Sequence, residues 1–105
     1  MLVGIDLVHI PEFINKIKNQ NTLEKIFTSS ELNQFTSPES RSGIFAAKEA
    51  CMKALGKKLD WLEIWVEKEK SGKPTISYHL QPTTYNLSVS ISHSGDYATA
   101  IVIIS

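Results

Sequence analysis

The sequence holds one cysteine, Cys51, so no internal disulfide can form and a reducing compartment is expected. Charge of either sign is not in excess. Eleven Lys and Arg residues balance eleven Asp and Glu, which argues against nucleic acid or anionic membrane bound by bulk charge. No apolar run is long enough to cross a bilayer. The opening stretch from Met1 to Ile10 is broken by Asp6 and lacks a basic leader and a small-residue cleavage site, so no secretory signal is expected. Repeats, low-complexity tracts and linkers are also missing. What remains is 105 residues, 42% hydrophobic and 21% charged, which suits one cytoplasmic domain over residues 1–105. So short a chain buries roughly 60–70% of its unfolded surface and has little material for a deep private cleft, which favours a site shared between subunits.

The pattern along the chain is mixed. Leu2 to Val8, apolar except for Gly4 and Asp6, predicts a buried strand carrying one carboxylate. Pro11 followed by Phe13, Ile14 and Ile17 predicts a short helix. Thr22 is placed to cap a further turn through Leu23, Ile26 and Phe27, and Thr28-Ser29-Ser30-Glu31 reads as a capping box leading into Leu32 and Phe35. Ser37-Pro38 starts the longest helix and Gly56 stops it. One face of that helix is bulky, with Ile44, Phe45, Cys51, Met52 and Leu55; the other is alanine, at positions 46, 47, 50 and 54. A helix apolar on nearly all sides is buried, and Cys51 reads as a small core hydrophobe. Period-two alternation then predicts strands from Trp61 to Glu67 and from Ile76 to Leu80, separated by the Ser71-Gly72-Lys73-Pro74 turn. A hairpin follows, from Leu87 to Ile104, turning at Ser94-Gly95-Asp96. One strand, then helices, then strands is an α+β order.

Five charged or titratable residues stand out against this background. Glu49 and Lys53 lie four apart on the long helix; they form either a plain helical ion pair or part of a site, since that helix has no polar face to hold them. Lys48 falls within the bulky face, where it either snorkels outward or points into an anion site. Asp6 is either a hydrogen-bonded strand residue or, with Glu49, one of two carboxylates around a cation such as Mg²⁺. His93 ends its strand beside Ser92 and Ser94, as a half-buried histidine or as part of a phosphate site.

In order along the chain, Gly4-Ile5-Asp6-Leu7-Val8, Phe45-Ala46-Ala47-Lys48-Glu49-Ala50 with Lys53-Ala54-Leu55-Gly56, Gly72-Lys73-Pro74, and Ser90-Ile91-Ser92-His93-Ser94 resemble the motifs of holo-acyl-carrier-protein synthases, the small single-unit branch of the 4′-phosphopantetheinyl transferases. The resemblance implies that Asp6 and Glu49 hold Mg²⁺ against the pyrophosphate of coenzyme A. It implies that Lys53 stabilises the phosphates or the departing group. Lys48, Ser92, His93 and the Gly72-Lys73-Pro74 turn are then placed near coenzyme A. The reaction implied is attack by a carrier-protein serine on the pantetheine-proximal phosphorus, with Glu49 or a metal-bound water taking the proton. Small members of the family resemble homotrimers with active sites at subunit contacts. The alternative is a non-catalytic coenzyme A-binding or structural subunit of the same fold.

Three positions depart from the family pattern. Glu12 stands where an arginine usually meets the acidic acyl carrier protein, Ile44 replaces a frequent arginine before the helix motif, and His9 replaces a frequent acidic residue. The connection after the long helix, Gly56-Lys57-Lys58-Leu59-Asp60, is compressed.

Overall fold

The computed structural model describes residues 1–105. Strand β1 (Leu2–His9) leads into three short helices, α1 (Ile10–Lys16), α2 (Gln20–Ile26) and α3 (Ser29–Gln34), and then into the long helix α4 (Pro38–Leu55). A 3₁₀ turn (Trp61–Glu63) precedes β2 (Ile64–Lys68), β3 (Pro74–Tyr78), β4 (Leu87–Ser94) and β5 (Tyr97–Ile104). Two antiparallel sheets result. One has the order β1-β5-β4, so the two ends of the chain lie side by side, with Asp6 opposite Ala100; the other is the β2-β3 ribbon. The α+β expectation holds.

Helix α4 runs where its sequence signals place it. Ser37 accepts a bond from the Ser40 amide at 3.1 Å, Pro38 fills the first position, and Gly56 closes the helix with φ 69°. Its alanine face lies on the inner face of the three-stranded sheet, against Gly4, and two more small residues, Ala98 and Ala100, are buried on the same side of β5. The fit is so close that a Cβ on Gly4 would stand 2.0 Å from the Ala50 carbonyl oxygen. The bulky face joins Phe13, Phe27, Phe35, Ile64, Val66 and Ile76 in one apolar cluster. Cys51 is enclosed there, and burial pushes its thiol pKa up to about 11, so it is a core residue and not a nucleophile.

Local sequence misled in three places. Asn19, not Thr22, caps α2, because its Oδ1 reaches the Asn21 amide at 2.8 Å. Trp61 to Glu63 is a 3₁₀ turn, closed by a reciprocal Asp60–Glu63 capping box, so β2 begins only at Ile64. Strand β3 stops at Tyr78 because the Gln81 side chain takes the Tyr78 amide, and Leu80 is left with φ 62° and 85% exposure. A leucine in the left-handed region is strained and here gains no burial in return. Leu80→Asn should therefore stabilise the chain by about 1 kcal/mol, raising the thermal midpoint by about 4–8 °C. An unchanged midpoint would show that the turn carries no strain.

The expected burial of β1 is met on one face only. Val3, Ile5 and Leu7 point to the other side of the sheet and are 60%, 62% and 64% exposed, opposite Ile103, Ile101 and Thr99 of β5.

Candidate functional site

The tight seat of Gly4 on α4 brings the next inward residue of β1, Asp6, over the C-terminal half of the helix. There Lys53 Nζ donates to Asp6 Oδ1 at 2.8 Å and to the Ile5 carbonyl at 3.1 Å. This corrects the helical Glu49–Lys53 pair considered from spacing: the strand offers Lys53 two acceptors and takes it. Glu49, half-buried one turn earlier, has no ion pair and no side-chain hydrogen bond. Asp6 and Glu49 line one cleft of about 300 Å³, together with His9, Glu12, Lys16 and Phe45.

The chemistry of this donor set suits a hard divalent cation. Asp6 keeps Oδ2 free and Glu49 keeps both oxygens, while no cluster of three or more acidic, histidine or cysteine side chains forms that would enclose an ion by itself. Mg²⁺ habitually takes one or two carboxylates and fills its octahedron with water and phosphate oxygens. Two carboxylates with free oxygens in one open cleft fit that habit, and the acidic side chains lining it, Glu12 among them, favour a cation there.

Lys48 requires a correction. Its side chain is 0% exposed, and its ammonium donates to Glu31 Oε1 at 2.7 Å, to the Ile26 carbonyl at 2.7 Å and to the Trp61 carbonyl at 3.0 Å. All three protons are used within the fold, so it neither snorkels nor is free to meet a bound anion. Burial lowers its pKa from the ordinary lysine value, against the opposing pull of Glu31 and Asp60. Glu31 was legible only as a capping-box residue. It fills that role, and it also meets Lys48, 17 positions away, and the Val66 amide, 35 positions away.

The remaining residues named from the sequence lie apart in the single chain. Ser92 and His93, exposed at the end of β4, line a small depression with Leu7 and Tyr97. Lys73 and Pro74, after Gly72 with φ 90°, line a groove with Ser88, Ser90, Ile101 and Ile103 on the uncovered face of the sheet. Neither group joins Asp6 and Glu49 in one cleft of one protomer. Arg41, the sole arginine of the sequence, donates to the carbonyls of Phe35 and Leu32 and is occupied in holding α3 to α4, so lysines are the cations left for anions. Sequence reasoning passed over Phe45 and Trp61 as site residues. They form an aromatic wall with Phe13, at centroid distances of 4.9 Å and 5.9 Å, in clefts that also contain Glu49. Phe45 was visible only as the bulky-face residue that opens the helix motif, and Trp61 only as the start of an expected strand.

Comparison with known proteins places this arrangement. A family model described as ACPS, the 4′-phosphopantetheinyl transferase superfamily, matches residues 2–102. A holo-[acyl-carrier-protein] synthase of Chlorobaculum parvum is 34% identical over 114 residues, covering 99% of this chain and 97% of its own length. That of Helicobacter pylori is 35% identical over 115 residues, covering 99% and 97%. The crystal structure of a Helicobacter pylori holo-[acyl-carrier-protein] synthase in complex with coenzyme A superposes with a TM-score of 0.92 at 31% identity, covering 99% of this chain and all of that one. The ACPS–CoA complex of Chronobacterium ammoniagenes gives a TM-score of 0.86 at 29% identity, covering 99% of this chain and 96% of that one.

Proposed function

Since the chain belongs to the holo-[acyl-carrier-protein] synthases of the 4′-phosphopantetheinyl transferase superfamily, we propose that it moves 4′-phosphopantetheine from coenzyme A to a serine of an apo-acyl carrier protein, with Mg²⁺, in the cytoplasm. The observation that carries this reading is the cleft in which Asp6 from β1 and Glu49 from α4 leave three carboxylate oxygens free beside the Lys53 ammonium. The serine oxygen forms a bond to the pantetheine-proximal phosphorus while the bond from that phosphorus to the bridging oxygen breaks. Adenosine 3′,5′-bisphosphate leaves with the electron pair, and the serine proton passes to a base.

Asp6 and Glu49 would hold Mg²⁺, which when bound neutralises pyrophosphate charge and so lowers the barrier to phosphoryl transfer. Lys53 lies beside Asp6 with its side chain 57% exposed, so its ammonium can follow charge developing on the departing oxygen. Glu49, free of any protein partner, is the carboxylate available to accept the serine proton. Phe45 and Trp61 offer apolar surface beside the reacting centre for the pantetheine arm.

The open sheet face supports a homotrimer. Val3, Ile5, Leu7, Ile101 and Ile103 form an apolar surface that a monomer would leave wet. The groove of Lys73 and Pro74 lies on that face, and Ser92 and His93 lie at its edge, so a second copy seated there would bring these residues to a neighbour's Asp6 and Glu49. This is how the family's four motifs, scattered in one chain, would meet in one site.

Incubating the chain with coenzyme A, Mg²⁺ and a panel of apo-carrier proteins, with and without chelator, tests the reaction by intact mass. A metal-dependent gain of one phosphopantetheine group is expected on at least one carrier. Coenzyme A binding with no gain on any carrier would favour a non-catalytic module. Carrier docking is tested at Glu12, which is exposed on α1 at the rim of the cleft and lies 3.7 Å from His9. Its negative charge opposes an acidic carrier, so Glu12→Arg should speed modification severalfold at low salt, with the gain fading as ionic strength rises. The same rate at every salt concentration would remove α1 from the docking surface.

A further inference from the structure

We propose that the buried Glu31–Lys48 pair is a positioning device for the reaction, holding the walls of the clefts on both sides of Glu49 although neither residue touches substrate. The proposal rests on the coenzyme A reading above. Glu49 opens onto two further clefts of about 370 and 420 Å³, which share Lys25, Glu49 and Trp61; the larger also contains Ile26 and Phe45. Lys48, the residue before Glu49, donates to the main-chain carbonyls of Trp61 and Ile26, one from the shared wall and one from the wall of the larger cleft. Its third bond goes to Glu31, whose carboxylate also receives the amides of Thr28 and Val66. A single buried charge pair thus ties the end of α2, the start of α3, the 3₁₀ turn and β2 to α4, one residue from Glu49.

Stability is a weak reason for such a pair, because apolar residues of similar volume commonly hold a core as well as a buried ion pair does. Direction is what it adds: three bonds from one nitrogen fix three segments relative to one helix. The 3₁₀ turn is closed locally by the Asp60–Glu63 capping box and by the Ile64 amide, which donates to the Trp61 carbonyl, but these bonds do not reach α4. The Ile26 carbonyl ends α2, where it has no helical partner, and the Trp61 indole N–H is buried without an acceptor, so Trp61 is tied to α4 by the Lys48 bond to its carbonyl and by stacking on Phe45 at 5.9 Å. Loosening Lys48 would leave these walls in place on average and widen their spread, which weakens binding of the donor's arm and misplaces it against Glu49.

The test compares Glu31→Gln and the double variant Glu31→Gln with Lys48→Met against Thr28→Ala, which removes the cap of the same helix without touching Lys48. Each is assayed below its thermal midpoint for coenzyme A affinity by calorimetry and for kcat and KM. The double variant should lose tenfold or more in coenzyme A affinity and in kcat/KM, while Thr28→Ala lowers the midpoint and keeps both within twofold. A folded double variant with wild-type affinity and KM would overturn the proposal. Should the pair variants fail to fold, nitrogen-15 spectra of the intact chain decide: saturating coenzyme A must shift the Lys48 ammonium and Trp61 indole resonances, and unmoved signals overturn the proposal. A wild-type chain that binds no coenzyme A would overturn the donor reading, and this proposal with it.

Discussion

Glu49→Gln is expected to lose about a hundredfold or more in turnover while leaving the fold as stable as before. The two halves of this result have separate causes. Glu49 makes no ion pair and no side-chain hydrogen bond within the chain, so replacing its carboxylate with an amide of the same shape breaks nothing in the fold. A carboxylate that is half-buried, unpaired and in the same cleft as Asp6 is a mild liability to the empty protein, and the amide relieves it. The thermal midpoint should therefore stay level or rise slightly. Losing a carboxylate that would hold the cation neutralising phosphate charge, or take the serine proton, costs on the order of 10²–10³ in rate. Binding provides a readout independent of catalysis: Mg²⁺ with coenzyme A should raise the midpoint of the wild type and raise it far less in the variant. Asp6→Asn makes the useful contrast, because it also breaks the ion pair with Lys53. That pair is largely exposed on the lysine side and worth about 1 kcal/mol at most. A Glu49→Gln protein that turns over at the wild-type rate with unchanged Mg²⁺ dependence would remove Glu49 from the site.

What could be read from the sequence was whatever is settled within a few residues. Helix α4 is bounded by Ser37-Pro38 and Gly56, the α3 start by Thr28 and Glu31, and the last hairpin by Ser94-Gly95-Asp96, and each of these acts locally. Asp6, Glu49 and Lys53 could be singled out because charge in an apolar pattern demands a partner. Which partner was not legible. Helical spacing offered Glu49 to Lys53, but the side chain crosses to Asp6, 47 positions away, because β1 lies against that helix. Lys48 failed as an anion ligand for a related reason. Its apolar neighbours on α4 were visible, but Glu31, Ile26 and Trp61 are brought to it only by the packing of α2, α3 and the 3₁₀ turn. The uncovered sheet face was invisible too, since an apolar strand reads the same whether its second face meets a helix or another copy.

Gly4→Ala is expected to damage stability and activity together, through contacts that no side-chain change can relieve. A Cβ at position 4 would lie 2.0 Å from the Ala50 carbonyl oxygen and 2.6 Å from the Ala54 amide nitrogen. Carbon and oxygen ordinarily approach no closer than about 3.3 Å, so β1 and α4 must part by more than an ångström. Both colliding atoms belong to the helix backbone, inside its hydrogen-bond ladder, and neither can rotate away. Overpacking commonly costs about 1–3 kcal/mol, and a backbone-to-backbone clash belongs at the upper end of that range. Against a total stability of about 5–15 kcal/mol, a loss of about 3 kcal/mol would lower the thermal midpoint by about 12 °C or more. The same displacement moves Asp6, two residues along the strand, away from Lys53 and from the cleft it shares with Glu49. A misplacement of about 1 Å can cost about a hundredfold in rate, so the variant should remain slow even when assayed well below its midpoint. Adding Ala50→Gly separates this account from simple crowding of side chains. If the obstruction is the Ala50 carbonyl, removing the Ala50 methyl group restores neither midpoint nor turnover. Recovery of both in the double variant would show that the methyl group, and not the helix backbone, sets the distance between β1 and α4.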